Sequence, residues 1–266
     1  MSNEDILKRI YASKASHLER EMAEEPYSVI AAKAQASVAT RRPFVEKLRE
    51  ASGHGIVTEI KRASPSAGLI AREFDPVAIA TMYESAGSDA ISVLTESDHF
   101  LGDIAFLPKV RAATSLPILR KDFLTKPYQM AQAAAYGADA ALLIINGLSD
   151  EMMRACLDEA AKYKLDVLVE VHDAKDLDRA LALGASFLGV NNRNLRTMKT
   201  DLAVSEHILP KVPKDVFAIS ESGMRNAEDL ERLRRAGARG FLIGEALMKS
   251  DDPAALVRSL KRVFAH

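Results

Sequence analysis

Residues 55–68 read GIVTEIKRASPSAG, and the fold turns on them. Ile56, Val57 and Ile60, bounded by Gly53 and Gly55, make the short apolar run of a buried strand, and Ser64-Pro65-Ser66-Ala67-Gly68 is a loop of small residues. Glu59 and Lys61 therefore stand at the strand's carboxyl end. Side chains alternate along a strand, so residues two apart share a face, and here an acid and an amine are aimed into the same space. Alone, the pair is equally compatible with a structural ion pair at a strand end.

Outward from this stretch the pattern repeats. Apolar runs of strand length recur at 90–95, 116–119, 140–145, 167–171, 187–190, 216–219 and 240–243, which with the first makes eight. Between them lie segments of helical period, such as 78–85, 151–162 and 227–235. Gly87-Ser88-Asp89, Gly137-Ala138-Asp139, Gly184-Ala185-Ser186 and Gly237-Ala238-Arg239 each follow a helix and precede a strand, as a glycine helix cap does. They recur at roughly fifty residues, two strand-helix units. Eight such units predict an α/β fold, a (β/α)8 TIM barrel of parallel strands spanning 51–266. A doubly wound open sheet is the competitor, but no G-x-G-x-x-G follows the first strand. Residues 1–50 read as a helical N-terminal extension packed on the barrel: Ile6, Leu7, Ile10 and Tyr11 share a face, Pro26 interrupts, and Phe44, Val45 and Leu48 resume after Pro43. Arg41-Arg42 is taken as a solvated helix terminus.

In such a barrel the chemistry sits where the strands end. The ends carry Glu59 and Lys61, Thr95-Glu96, Arg120-Lys121-Asp122, Asn146-Gly147, Glu170, Asn191-Asn192-Arg193, Glu221-Ser222-Gly223 and Gly244-Glu245. Ionisable groups converging on one rim point to a functional site. The last two ends have the composition of a phosphate cradle, in which glycine permits close backbone approach; Ser222, Gly223 and Gly244 fit it, with turn formation as the plainer use of the same glycines. The 64–68 loop beside this mouth suits a mobile cover.

Other classes are excluded by composition. The 266 residues are 48% hydrophobic with formal net charge -1, enough for a sizeable core and without a basic stripe, so no nucleic-acid partner is expected. The acidic start MSNEDILKRI is not a signal peptide and no window reaches membrane-span length, which predicts a cytoplasmic protein with no membrane partner. The single cysteine, Cys156, lies among Met153, Leu157 and Ala160 at helical spacing and reads as core. The six histidines show no close-spaced ligand pattern, so neither metal nor cofactor is expected; His172 shares a face with Glu170 and is read as an ordinary hydrogen-bonded histidine.

The stretches Glu59-Ile60-Lys61-Arg62-Ala63-Ser64-Pro65-Ser66, Leu119-Arg120-Lys121-Asp122-Phe123, Gly189-Val190-Asn191-Asn192-Arg193-Asn194-Leu195 and Ser220-Glu221-Ser222-Gly223 together resemble the indole-3-glycerol-phosphate synthase family, from about residue 25 to the end. The resemblance implies a (β/α)8 barrel with a helical extension. It implies a sugar-phosphate substrate, 1-(2-carboxyphenylamino)-1-deoxyribulose 5-phosphate, that loses carbon dioxide and water without a cofactor. By the same resemblance Lys121 is the general acid of ring closure, Glu170 stabilises the cationic intermediate, and Asn191 orients hydroxyls or this carboxylate. Glu59 and Lys61 are the pair for dehydration. Ser64 and Arg193 contact anionic groups, Ser222, Gly223, Gly244 and Glu245 lie near the phosphate, Glu221 is a further substrate-binding residue, and Phe123 and Leu143 border the aromatic ring. A lysine must lose basicity for such work near neutral pH, which burial beside another cation supplies. Ala67, Asp103 and Asn146-Gly147 depart from the commoner pattern, the last expected to reshape the aromatic pocket. Protein partners are not indicated. Two other readings compete: a barrel of the phosphoribosylanthranilate isomerase type, which needs a cysteine or aspartate acid-base pair at strand ends, and a catalytically silent sugar-phosphate-binding barrel, which does not require Glu59, Lys61, Lys121 and Glu170 together.

Overall fold

Eight parallel strands close on themselves in a computed structural model that describes residues 4–51, 54–195 and 197–263, with side chains from residue 8 onward. They are β1 (Gly55–Ile60), β2 (Ala90–Leu94), β3 (Ile118–Lys121), β4 (Ala140–Ile144), β5 (Asp166–Val171), β6 (Phe187–Asn191), β7 (Phe217–Glu221) and β8 (Gly240–Ile243). Each pairs with its neighbours in sequence, and β8 returns to β1 with Gly55 beside Gly240 and Thr58 beside Ile243. The side chains of Ile6 and Leu7, with Gly53 and His266, lie outside the described set.

The continuous apolar runs follow from burial on both faces. Ile56 and Ile60 face outward into the layer between sheet and helices, while Val57 faces the barrel axis. On β4, Ala141 and Leu143 point outward and Leu142 and Ile144 inward. Helices cover the outer layer, among them Pro76–Ser85, Asp150–Lys162 and Ala227–Ala236. The repeated glycines 87, 137, 184 and 237 all take positive φ where a helix exits toward a strand, a conformation that costs glycine little. Cys156 is fully buried in the outer core, as read from sequence.

The extension forms helices Glu4–Glu24, Tyr27–Ser37 and Phe44–Glu50. Phe44 and Leu48 plug the amino-terminal end of the barrel against Phe187 and Phe217. Ile30 and Ala34 pack on Tyr128, Ala131 and Ala134 of the helix Pro127–Ala135. At the opposite end the first helix reaches the mouth: Ile10 joins the inner core, the Tyr11 ring meets Phe123 edge-on at 5.8 Å, and Lys14 forms a 2.8 Å buried ion pair with Asp122.

Two expectations are corrected. Arg41 and Arg42 are not a solvated terminus. The Arg41 guanidinium donates to the Ala138 carbonyl, Arg42 donates to the Leu116 carbonyl at 2.8 Å, and the Arg42 amide donates to Asp139 at 2.8 Å, so the pair fastens the extension beneath β3 and β4. The stretch after β1 is a two-stranded hairpin, with Ala63–Ser64 antiparallel to Gly68–Leu69, because Gly68 at positive φ closes a turn that proline opens.

Candidate active site

A cavity of about 550 Å³ opens at the carboxyl ends of the strands. Alternation aims Glu59 and Lys61 of the first strand's end into it, and Lys121, Glu170, Asn191 and Arg193 reach it from the ends of β3, β5 and β6. Ser64, Phe123, Ser222, Gly223, Gly244 and Glu245 also line it. Glu221 is fully buried behind Lys121 and bonded to it. Leu143 is the exception. It is wholly buried in the outer layer, and Leu142 and Ile144 form the apolar wall instead. β4 is apolar throughout, so alternation leaves no mark in its sequence; the register, with Ile144 beside Glu170, sets which face looks inward.

Space for the buried carboxylates comes from missing side chains. A Cβ on Gly189 would collide with the Glu221 carboxylate and one on Gly244 with that of Glu59. Ser222 and Gly223 take successive positive φ of 66° and 89°, a turn that carries backbone into the cavity beside Gly244.

The charges interlock. Lys61 donates to Glu59 at 2.5 Å. Lys121 donates to Glu221 and stands 3.6 Å from Glu170. Arg193 donates to Glu245 at 2.7 Å and to Ser66 at 3.0 Å, and Lys249 donates to the other Glu245 oxygen at 2.7 Å. Burial acts against the Lys121 ammonium, but the carboxylates of Glu221, Glu170 and Glu59 outweigh it and hold its pKa above the usual lysine value. At Lys121 basicity is thus increased and not lowered, because its buried neighbours are acids and not another cation. Burial likewise opposes ionisation of Glu170, yet His172, Lys121 and Asn191 keep that carboxyl below the ordinary range. Glu221 is raised by burial and by Glu170 and Glu59, against the pull of Lys121.

Several contributors carried no sequence signal. Lys14 and Tyr11 come from the extension, over a hundred positions before the strand ends they touch, and Lys249 lies beyond the last motif. Asn146 and Gly147 do not line the cavity: the Asn146 amide donates to Asp176 at 2.7 Å, and Gly147 gives way to the Tyr11 hydroxyl, so they shape the rim and not the aromatic wall. Asp103 accepts from the Ala105 amide at 2.8 Å, away from the cavity. Spacing suggested no metal ligands, and the structure does gather Glu96, Asp98 and His99; the Glu96 carboxylate accepts the backbone N–H groups of Asp98, His99 and Phe100 there, a fastening of the loop.

A closed parallel barrel with ionisable groups gathered at the carboxyl ends of its strands is the arrangement of a (β/α)8 enzyme that works by acid-base chemistry. Solved structures support the fold alone: 3-hexulose-6-phosphate synthase matches with TM-score 0.62 at 19% identity over 79% of this chain and 99% of that one, and KGPDC from Streptococcus mutans with TM-score 0.61 at 13% identity over 80% and 98%. The indole-3-glycerol phosphate synthase family model matches residues 7–260, and the chain belongs to that family. Relatives of that name include those of Azospirillum brasilense, 42% identical over 96% of this chain and 98% of the relative, and Koribacter versatilis, 46% identical over 80% and 82%. That of Desulfotalea psychrophila is 43% identical over 97% and 99%.

Proposed function

We propose that the chain closes, decarboxylates and dehydrates 1-(2-carboxyphenylamino)-1-deoxyribulose 5-phosphate to indole-3-glycerol phosphate, with Lys121 as the acid of ring closure. The family match supports the reaction, and one observation carries the assignment of roles: Lys121 and the Glu59–Lys61 pair converge on a single cavity with an apolar wall of Phe123, Leu142 and Ile144 on one side. The ring carbon bearing the carboxylate attacks the ketone carbon, and the ketone oxygen takes a proton from Lys121. The ring nitrogen and ring become cationic, and Glu170 faces that charge. Carbon dioxide departs, its bonding electrons returning to the ring. Glu59 then removes the proton from the carbon between nitrogen and the new bond, Lys61 protonates the leaving hydroxyl, and water and the indole remain. Lys121, kept charged by its acid neighbours, starts loaded with its proton, and Glu221 is placed to return one. Ser222, Gly223 and Gly244 offer backbone to the phosphate, and Arg193 and Ser64 meet anionic groups. Asn191 accepts from the Arg193 amide at 3.0 Å and orients the substrate hydroxyls or Glu170. Residues 1–50 act as an extension of a barrel domain over 51–266. Among the described residues no helix is long and apolar enough to cross a membrane. The family match and the near-zero net charge favour a cytoplasmic enzyme acting on a small sugar phosphate, without nucleic acid.

The chain has no tryptophan, so indole fluorescence reports turnover against a low background. Lys121→Ala should lower kcat by about two or more orders of magnitude with KM nearly intact, the range a positioned acid contributes. Near-normal turnover in that variant would remove Lys121 from the role. Binding of the substrate with no product from the unmodified protein would favour the silent barrel.

A further inference from the structure

The strongest feature that the reaction leaves unused is a chain of polar groups behind Glu170. His172 follows β5 directly, two residues beyond Glu170, and both its ring nitrogens are sealed from solvent. Its Nε2 stands 3.2 Å from Glu170 Oε1 and its Nδ1 3.7 Å from Asp176 Oδ2. Asp176 lies in the first turn of the helix Ala174–Ala182 and is itself buried. Its Oδ2 accepts the His172 amide at 3.0 Å and the Asn146 side chain at 2.7 Å, while its own amide donates to the cap Asp173 at 2.8 Å. Four bonded or charged contacts thus fix Asp176, and through it the imidazole.

We propose that His172, held by Asp176 and Asn146, is a positioning residue for the reaction, a fixed imidazolium that keeps Glu170 ionised and turned toward the cavity. The proposal rests on the role given to Glu170 above. Glu170 is bracketed: one oxygen faces His172 and the other faces Lys121 at 3.6 Å. Lys121 is bonded to Glu221 and feels Glu59 as well, which Lys61 also neutralises, so its ammonium is not at the disposal of Glu170 alone. Tyr11, from the extension, also lies in the field of Glu170 and offers it no positive charge. Without a second cation, burial and the like charge of Glu221 push Glu170 toward taking a proton, and a neutral acid cannot face a cationic ring. His172 supplies that cation. An imidazole taken out of water would by itself favour neutrality, and Asp176 and Glu170 outweigh this, raising its pKa to about 10. Asn146, the departure at the end of β4, thereby acquires a use: it donates to the same Asp176 oxygen that faces the ring and fixes that carboxylate in place.

The competing explanation is that His172 merely ties the helix to the strand end. Asp176→Asn separates the two, since asparagine still accepts the His172 amide but carries no charge. In this variant His172 deprotonates nearer to the ordinary histidine pKa of about 6.5; Glu170 stays ionised there but is no longer held in orientation by a cation, so kcat should fall as pH rises through that value while the unmodified enzyme stays level there. His172→Gln should move the acid limb of kcat upward by about one pH unit or more, the scale on which a lost opposite charge moves a carboxylate, with KM little changed. A pH profile identical to that of the unmodified protein in both variants, with only thermal stability reduced, would overturn the proposal. Nitrogen-15 shifts of the His172 ring give a readout that needs no turnover: an imidazolium persisting beyond pH 8, and deprotonating at lower pH in Glu170→Gln, supports the contact even if the reaction assigned above is wrong. A ring that titrates near 6.5 in the unmodified protein removes the fixed cation, and with it the proposal.

Discussion

At the scale of single residues the mouth is a set of exchanges in waiting. Arg193 is engaged by Glu245, which also holds Lys249, so an arriving anion has to displace a carboxylate before it meets the guanidinium. Both partners are partly exposed, so the pair is screened and its worth is small. Glu245→Gln should therefore tighten competitive inhibition by inorganic phosphate by only about two- to fivefold, the range of such a pair. Weaker inhibition in a titration at fixed ionic strength would mean that Glu245 helps to build the anion site. Residue identity was the most legible level of the sequence: Glu59, Lys61, Lys121, Glu170, Asn191 and Arg193 were all read as strand-end groups and share one cavity. What sequence could not supply was which way each apolar residue of β4 faces, or that Glu221 is buried behind Lys121 and bonded to it. Both depend on partners from other strands.

At the scale of elements, the helix Glu4–Glu24 is tied to the end of β3 by Lys14 and Asp122. Asp122 is buried, which disfavours its charge, but Lys14 and Arg120 overcome this and set its pKa below the usual aspartate value. A carboxyl lowered in the folded state contributes stability that is present above its unfolded pKa and lost as pH falls through the folded one. Lys14→Met leaves Arg120, at 3.3 Å, as the remaining cation beside Asp122, with the Thr95 hydroxyl and the Phe123 amide as neutral donors. It should cost about 3 kcal/mol at pH 7, the scale of a broken buried pair, and start the acid loss of stability at higher pH. Urea unfolding between pH 4 and 7 measures both; an unchanged midpoint at pH 7 would show the contact to be dispensable. The strands were legible because burial on both faces writes apolar runs, and the helices because their period is 3.6. The docking of the extension was not, since Arg41 and Arg42 look alike whether solvated or bonded to carbonyls beneath the barrel.

At the scale of the whole molecule, the barrel is closed at one end by its own extension and open at the other. Phe44 is fully buried with its ring 6.0 Å from that of Phe187, so Phe44→Ala should destabilise the fold by about 3–5 kcal/mol, read as a lowered unfolding midpoint in urea. A negligible shift would mean that the third helix rests on the barrel without sealing it. The open end has the more distinctive property. Lys61, Lys121, Arg193 and Lys249 are matched there by Glu59, Glu170, Glu221 and Glu245. Such a mouth projects little field into the solvent, and anions are not gathered from a distance, so the second-order rate of substrate capture should change little with salt where a steered encounter changes steeply. Simple anions have little to gain by entering, because each would have to break several contacts and replace few. A mouth of paired charges selects by the pattern of charge on a ligand and not by its sum.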